Sequence, residues 1–367
     1  MVKVIAVLTL IAAVDASAAS DVTKVFTDAE VQQCGDIRIP QMTITPSGVL
    51  LVAQCRSANQ TGDVRVDVRD NMVHAKVVTK LSADNGTTWG PMKVLTPIAH
   101  SHGQVVYDAV RQRVLLHYQL HPNVDPTINS TLFQRLSHDD GATWGSERAI
   151  TPLLARCNPE APQNMQVGSA GSKVQTASGR IIFLGHANGV ACRWWTDDGG
   201  ETYNTSLPYV GNEASVAETG AGQIYMNARG LTYAWKGNRT SYFSSDDGAD
   251  FSSPVACPVR EDAPFGCSAG LVADPFTPNA RSAASAAPPR RLFLSEPSGP
   301  ERKGLVVHCS LDGGRTWPAS VRVNGEQPAA YSAMRIVRTA VRTHRVLVVW
   351  EEKPNFLATH LDTAWCR

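Results

Sequence analysis

The chain has 367 residues, an apolar content of 43% and a formal net charge of +1 at pH 7. This length and composition are typical of one large globular domain or two ordinary ones, and they exclude an intrinsically disordered protein. A charge so close to zero provides neither the basic field that holds nucleic acid nor an acidic tail, so we expect the function to reside in a local site.

The N-terminus has the pattern of a secretory signal peptide. Lys3 precedes an apolar run over residues 4–14, and small residues at 16–18 resemble a cleavage site. A transmembrane anchor is the alternative, but the run is short for a bilayer and no later stretch approaches the required length. We therefore predict a signal peptide over residues 1–18 and a single domain over residues 19–367.

The cysteines and the sequons agree with the secretory pathway. Eight cysteines indicate disulfides formed in an oxidising compartment, with the connectivity left open and no spacing that suits zinc. They are Cys34, Cys55, Cys157, Cys192, Cys257, Cys267, Cys309 and Cys366. Asn-x-Ser/Thr sequons, typical of secreted glycoproteins, occur at Asn59, Asn85, Asn129, Asn204 and Asn238.

A short motif of Ser or Thr, Asp, Gly and an aromatic residue recurs five times, about every 50 to 65 residues. The copies cover residues 82–89, 137–144, 196–203, 244–251 and 310–317, and the fourth is degenerate at its end. A β-hairpin turn explains the pattern, because Asp accepts backbone N–H groups across the turn and Gly supplies a positive φ. A single copy could be a calcium loop or an ordinary turn, whereas five copies in register indicate an architecture.

Short β-rich runs lie between these copies, and no long helical pattern interrupts them. The runs cover residues 105–107, 113–118, 180–184, 291–294 and 345–350. Residues 277–289, rich in Ala, Ser and Pro, are predicted to form a long exposed loop. The spacing of the motif suits four-stranded blades arranged radially, so we predict an all-β propeller.

Besides the five repeats, four short segments stand out: Arg38-Ile39-Pro40, Asn212-Glu213, Asn227-Ala228-Arg229 and Tyr331-Ser332. In these segments, and in the repeats, which match Asp boxes, the chain resembles the exo-α-sialidases, or neuraminidases, over roughly residues 30–355, with the lysosomal branch the most similar. The resemblance implies a six-bladed β-propeller of four-stranded antiparallel blades. The repeats would be structural, and the site would lie where loops converge at one end of the central channel.

The resemblance implies three arginines that bind the carboxylate of sialic acid, because a planar guanidinium pairs with a carboxylate bidentately. Arg38, Arg229 and Arg302 match these positions, although Ile37 replaces the usual aromatic residue before the first. Arg56 matches a further arginine on the carboxylate side, and Glu351 matches the carboxylate that orients Arg38. Glu352 is the alternative to Glu351.

The nucleophile of the family is a tyrosine, a known exception among glycosidases, and Tyr331 matches it. A neutral phenol avoids the repulsion that an anionic nucleophile would meet beside the substrate carboxylate. Free tyrosine titrates at about pH 10 and needs a neighbouring base, a role that the resemblance assigns to Glu213, with Glu218 as the alternative.

An acid must also protonate the departing glycosidic oxygen and later activate water. Asp70, in the segment that leads to the first repeat, matches this residue of the family, with Asp63 and Asp67 as alternatives. The resemblance implies neither cofactor nor metal, and a sialylated glycan as the partner.

The expected activity is retaining hydrolysis of terminal sialic acid from glycoproteins, glycolipids or oligosaccharides, in a secreted or lysosomal enzyme. A non-catalytic glycan-binding propeller and a trans-sialidase are the alternatives. A pure binding protein has no need of the Tyr and Glu pair.

Overall fold

The computed structural model describes residues 21–56, 75–96, 101–120, 131–159, 162, 165–187, 190–206, 209–230, 238–260, 266–276, 289–298, 301–340 and 343–367. The predicted signal peptide, the three candidate acids Asp63, Asp67 and Asp70, and residues 277–288 of the predicted loop lie outside these ranges. Every structural statement below refers to the described residues.

Six antiparallel sheets, the blades, follow one another along the chain. Blade 1 consists of β2 (Asp36–Thr45), β3 (Gly48–Arg56), β4 (Lys76–Ser82) and β5 (Lys93–Val94). Blade 2 consists of β6 (Ser101–Asp108), β7 (Arg113–Leu120), β8 (Thr131–Ser137) and β9 (Arg148–Ala149). Blade 3 has short split strands on both sides of β12 (Ile181–Ala187) and β13 (Val190–Thr196), namely β10 (Gln166–Val167), β11 (Lys173–Gln175), β14 (Asn204–Thr205) and β15 (Tyr209–Val210).

The second half of the chain continues the same pattern. Blade 4 consists of β16 (Ala214–Gly220), β17 (Gln223–Ala228), β18 (Asn238–Ser244) and β19 (Val255–Arg260). Blade 5 consists of β20 (Gly270–Ala273), β21 (Leu292–Pro297), β22 (Leu305–Ser310) and β23 (Ala319–Arg322). Blade 6 consists of β24 (Ser332–Ala340), β25 (Thr343–Glu352), β26 (Asn355–Asp362) and the N-terminal β1 (Thr23–Lys24).

The N-terminal strand closes the ring. β1 pairs antiparallel with β26, with Thr23 opposite Ala358, so the two ends of the described chain share one sheet. The innermost strands β2, β6, β11, β16, β20 and β24 contact their neighbours in this order, and β24 contacts β2. This radial closure leaves only short sheet edges, and it confirms the predicted six-bladed propeller of antiparallel four-stranded blades.

Hydrophobic side chains fill the spaces between neighbouring blades. Leu51 of blade 1 packs in one buried cluster with Leu347 of blade 6, and Leu115 of blade 2 shares a cluster with Trp194 of blade 3. Fully burying such a side chain contributes about 1.5–3 kcal/mol to the free energy of folding. These interfaces therefore hold neighbouring blades together. The predicted β-rich runs coincide with strands β6, β7, β12, β21 and β25.

The five repeats form turns between the third and fourth strands of blades 1 to 5. In the first, the Asp84 carboxylate accepts from the Thr88 amide at 2.8 Å and the Thr88 hydroxyl at 2.6 Å, while the Gly86 amide donates to Ser82 Oγ at 2.7 Å. Gly86 has a φ of 93°, which favours glycine. The other copies repeat these contacts, except that Asp250 replaces the threonine in blade 4.

Two short helices, α1 (Asp28–Cys34) and α2 (Pro152–Cys157), pack against the blades. A capping box joins Thr27 to Glu30 at the start of α1. None of the helices in the described ranges has the length and apolar character needed to cross a membrane.

Six of the eight cysteines form disulfides, Cys34–Cys55, Cys157–Cys192 and Cys309–Cys366, which anchor both helices and the C-terminus. The expectation that all eight form disulfides is wrong, because Cys257 and Cys267 are buried thiols.

Candidate active site

The candidate residues gather where the innermost strands begin. Arg38 lies near the start of β2, Glu213 immediately precedes β16, and Tyr331 immediately precedes β24. Arg229 follows β17, which returns to the same end of blade 4, and Arg302 lies in the connection between β21 and β22. The antiparallel meander of each blade therefore brings residues of blades 1, 4, 5 and 6 to one end of the central channel.

Tyr331, Glu213 and Arg229 form a hydrogen-bonded group at the centre of this site. The Tyr331 hydroxyl donates to Glu213 Oε1 at 2.6 Å. Arg229 Nη1 donates to Glu213 Oε2 and lies 3.1 Å from the Tyr331 hydroxyl oxygen. Tyr331 is 9% exposed and Glu213 is 6% exposed, so little water competes for these contacts. The phenol oxygen thus lies between a carboxylate and a guanidinium.

Glu351 holds the first arginine in place. Its Oε1 lies 2.8 Å from Arg38 Nε and accepts from the Ile39 amide at 2.6 Å. Ile39 has a φ of 61°, an uncommon conformation for a β-branched residue, and this amide contact helps to maintain it. The Glu351 amide also donates to the Tyr331 carbonyl at 2.9 Å, so one residue positions both the arginine and the tyrosine backbone.

Arg302 and Arg56 complete the cationic wall of the site. Arg302 Nη2 donates to the Gly266 carbonyl at 2.8 Å, and its guanidinium carbon lies 5.7 Å from the centre of the Tyr331 ring. Arg38 lies 5.5 Å from the same ring centre. Arg56 Nε donates to Gln54 Oε1 at 3.0 Å. Burial and then the nearby Arg38 charge lower the pKa of Arg56 to about 10.

The pKa shifts in the central group have opposite signs. Burial alone would raise the pKa of Glu213, but the charges of Arg229 and His186 and the hydrogen bonds from Tyr331 and Arg229 outweigh it and lower that pKa to about 2. Burial and then the Glu213 charge raise the pKa of Tyr331 well above its ordinary value. In the resting site the proton therefore stays on the phenol, and Glu213 is a carboxylate.

Positive charge exceeds negative charge in this cluster. Four guanidinium groups, of Arg38, Arg56, Arg229 and Arg302, surround the carboxylates of Glu213 and Glu351. Such a site favours a ligand that carries a carboxylate. Within the described part of the chain, no group of three or more His, Cys, Asp or Glu side chains is arranged to hold a metal ion.

The structure brings together seven of the eight predicted site residues, and the eighth, Asp70, lies outside the described residues. Glu218, the alternative to Glu213, lies further along β16, where its Oε2 is 2.8 Å from Arg290 Nη1. Glu351 rather than Glu352 contacts Arg38, because adjacent strand residues point to opposite faces.

Sequence reasoning missed two residues of the site. Cys267 packs in one buried cluster with Ile39 and Tyr331, and burial raises the pKa of its thiol to about 12. His186, at the end of β12, is buried close enough to Glu213 for their charges to interact, and burial lowers its pKa. No local motif marks either residue, because each reaches the site through the closure of the ring.

A family model described as BNR repeat-like domain matches residues 93–342. The chain belongs to this family. A protein of Micromonospora viridifaciens named "Sialidase" is 26% identical over 357 residues, with 89% of this chain and 52% of that protein covered. The chain therefore spans about half the length of this relative.

Solved structures share the fold of this BNR repeat-like chain. The NanB sialidase of Streptococcus pneumoniae has a TM-score of 0.74 at 14% identity, with 94% of this chain and 71% of that chain covered. The leech intramolecular trans-sialidase has a TM-score of 0.72 at 13% identity, with 95% and 71% covered. At identities this low, the structural similarity shows a common propeller fold and nothing finer.

Proposed function

We propose that the chain is a retaining exo-α-sialidase that releases terminal sialic acid through a covalent sialyl-tyrosine intermediate. The observation that carries the proposal is the 2.6 Å hydrogen bond from Tyr331 to Glu213 inside a group of four arginines. A phenol paired with a buried carboxylate suits a nucleophile and its base, and the arginines suit the substrate carboxylate.

The first half of the reaction requires proton transfer together with attack. Arg38, Arg229 and Arg302 would bind the substrate carboxylate and hold the anomeric carbon over the Tyr331 oxygen. Because the proton rests on Tyr331, it would move to Glu213 as the new carbon–oxygen bond forms. Arg229 Nη1, 3.1 Å from the phenol oxygen, would stabilise the negative charge that develops there.

Departure of the aglycone requires an acid on the other side of the bond. Asp70 is proposed to protonate the glycosidic oxygen and then, as a carboxylate, to take a proton from the water that attacks the sialyl enzyme. The Tyr331–carbon bond would break in that step, and Glu213 would return the proton to the phenol.

The activity is tested with a 4-methylumbelliferyl sialoside and matched variants. Tyr331→Phe is expected to abolish release of the fluorophore, whereas Tyr209→Phe, which removes the hydroxyl of a tyrosine in β15, should retain it. A 3-fluorinated sialosyl fluoride should lose its anomeric fluoride and add one fluorosialyl mass to the peptide that contains Tyr331. Normal turnover in Tyr331→Phe, or labelling elsewhere, would contradict the proposal.

Product analysis separates hydrolysis from the alternatives. With the 4-methylumbelliferyl sialoside as donor, hydrolysis should give free sialic acid, and intermolecular transfer should give sialyllactose when lactose is added. Intramolecular transfer should give an anhydro sugar lighter than sialic acid by one water. A glycan-binding propeller would bind the sialoside without giving any of these products. Comparison of N-acetylated and deaminated substrates addresses the sugar preference.

We also propose that the protein acts in the secretory pathway, either secreted or in the lysosomal lumen. The three disulfides support an oxidising compartment. Expression of the full chain in animal cells, with detection in medium and in lysosomal fractions, tests this, and retention in the cytosol would contradict it.

A further inference from the structure

A second cavity lies on the propeller axis, at the end opposite the candidate active site. Its volume is about 280 Å³, and residues of all six innermost strands line it together with Arg290. Arg335 follows Tyr331 by four residues in an extended strand, which at about 3.3 Å per residue places it roughly 13 Å further along the axis. Ile44, another lining residue, is 37% exposed, so the cavity opens on the far face.

Two cations line this cavity without a carboxylate partner among the described residues. Lys173, in β11, is 4% exposed, and its Nζ donates to the amide oxygen of Gln41. Arg335, in β24, donates from Nη1 to the Met334 carbonyl at 2.7 Å. Both acceptors are neutral, so neither positive charge is compensated.

Glu218, the acid among the lining residues, already has partners of its own. Glu218 Oε2 lies 2.8 Å from Arg290 Nη1, and Glu218 Oε1 accepts from the Ala177 amide at 2.9 Å. Glu218 and Arg290 therefore cancel each other, and the charges of Lys173 and Arg335 remain in the cavity.

An uncompensated charge is costly where water is largely excluded, as it is at the buried Lys173 and, less completely, at the half-buried Arg335. Burial and then the Arg335 charge lower the pKa of Lys173 well below its ordinary value, and burial lowers the pKa of Arg335 to about 10. Apolar side chains at both positions would remove this penalty. A bound anion would remove it as well, and would accept hydrogen bonds from both cations.

We propose that this cavity binds a small tetrahedral oxyanion, of the phosphate or sulfate type, between Lys173 and Arg335. The volume lies just below the range of about 300–1,000 Å³ that is typical of sites for larger ligands, which favours an ion over a sugar. Lys173 belongs to blade 3 and Arg335 to blade 6, on opposite sides of the ring. The anion would therefore join opposite blades across the channel. The inference does not depend on the proposed sialidase activity.

Calorimetric titration of the full chain with inorganic phosphate, at ionic strength held constant with chloride, tests the proposal. We expect saturable binding of one phosphate, replaced by sulfate but not by acetate. Lys173→Met and Arg335→Met should each weaken phosphate binding at least tenfold. Arg338→Met, which removes the same charge from an exposed position on the same strand, should leave it unchanged.

Further measurements keep the result interpretable if a variant folds poorly. Lys173→Arg keeps the charge and should retain most of the binding, and circular dichroism reports on folding. Turnover of a sialoside by Arg335→Met should match that of the wild type, which separates this site from the candidate active site. Absence of saturable phosphate binding would overturn the proposal. So would binding that persists in both Met variants and is displaced by free sialic acid, because it would then lie in the catalytic cleft.

Discussion

The Tyr331 hydroxyl donates a 2.6 Å hydrogen bond to Glu213, although 118 residues separate the two in sequence. Tyr331 precedes the innermost strand of blade 6, and Glu213 precedes that of blade 4. The bond depends on ring closure, because only the complete propeller holds these two strand ends against each other. The position of the phenol is therefore tied to the integrity of all six blades.

Glu213→Gln should lower kcat for sialoside hydrolysis by about 10²–10⁴-fold, because an amide keeps the hydrogen bond but does not accept the phenol proton. Glu218→Gln is the matched control, since it changes a buried glutamate of β16 that pairs with Arg290 far from Tyr331. Steady-state kinetics and thermal melting distinguish lost chemistry from lost folding. Equal losses of activity in the two variants would argue against Glu213 as the base.

Arg302→Lys should reduce kcat/KM by about 10²-fold, or roughly 2.7 kcal/mol, although the charge is kept. A lysine does not form the bidentate pair with a carboxylate, and it loses the fork geometry of the bond to the Gly266 carbonyl. Arg315→Lys, near the exposed repeat turn of blade 5, should leave kcat/KM unchanged. A substrate amide in place of the carboxylate should reduce the difference between wild type and Arg302→Lys.

Asp250→Thr should stabilise the protein by about 0.5–1.5 kcal/mol. In the other four repeats, the threonine four residues after the aspartate donates its hydroxyl to that aspartate at 2.6 Å. In blade 4 the corresponding residue is Asp250, which donates to Asp246 from its backbone amide, at 3.0 Å, and has no hydroxyl to donate. The change also removes a like charge beside Asp246. Asp250 also lies 3.8 Å from Arg193, but the Asp250 side chain is 97% exposed, so water screens this ion pair and its loss costs little.

Urea unfolding measures this effect of Asp250→Thr, with Thr316→Asp in blade 5 as the reverse control that should destabilise. An unchanged or lower free energy of unfolding for Asp250→Thr would show that the hydroxyl contact is not a significant source of stability.

Stability should decrease as the pH falls below about 6.5, because His117 is buried in its neutral form. Its Nδ1 accepts from Trp194 Nε1 at 3.4 Å, and burial lowers its pKa from 6.5 to about 3. Between these values the unfolded chain binds a proton that the folded chain does not, which gives a slope of up to about 1.4 kcal/mol per pH unit. Glu213 adds to the loss below pH 4.5, since its folded pKa is lowered to about 2.

Urea unfolding at pH 7, 6, 5 and 4 tests this dependence, and His117→Gln should reduce the slope between pH 6.5 and 4. His138, an exposed histidine in the repeat turn of blade 2, is the control position for the same substitution. A free energy of unfolding that is constant or rises toward pH 4 would contradict the prediction.

Much of the architecture could be predicted because its signals are local. The contacts of Asp84 with Thr88 and Ser82 span only a few residues, and the same short pattern recurs in five blades. The β-rich runs that became strands such as β7 and β25 are equally local signals. The candidate site residues could be named only through the resemblance to a family, since nothing near Glu213 or Tyr331 reveals that they meet.

The disulfide pairing likewise could not be predicted from the local sequence. The number of cysteines favours pairing, but only the folded chain determines that Cys34 faces Cys55 while Cys257 and Cys267 stay thiols. Pairing requires side chains to meet at a fixed geometry, and that geometry depends on how blades pack.

By itself, the amino-acid sequence determined the repeated hairpins and hence the propeller, because turn chemistry and β-strand propensity act over a few neighbouring residues. The tertiary structure decided which glutamate faces Tyr331, which carboxylate holds Arg38, and that Lys173 and Arg335 from opposite blades line one cavity. These contacts join residues far apart in sequence, and they exist only after the N-terminal strand pairs with the last blade and closes the ring.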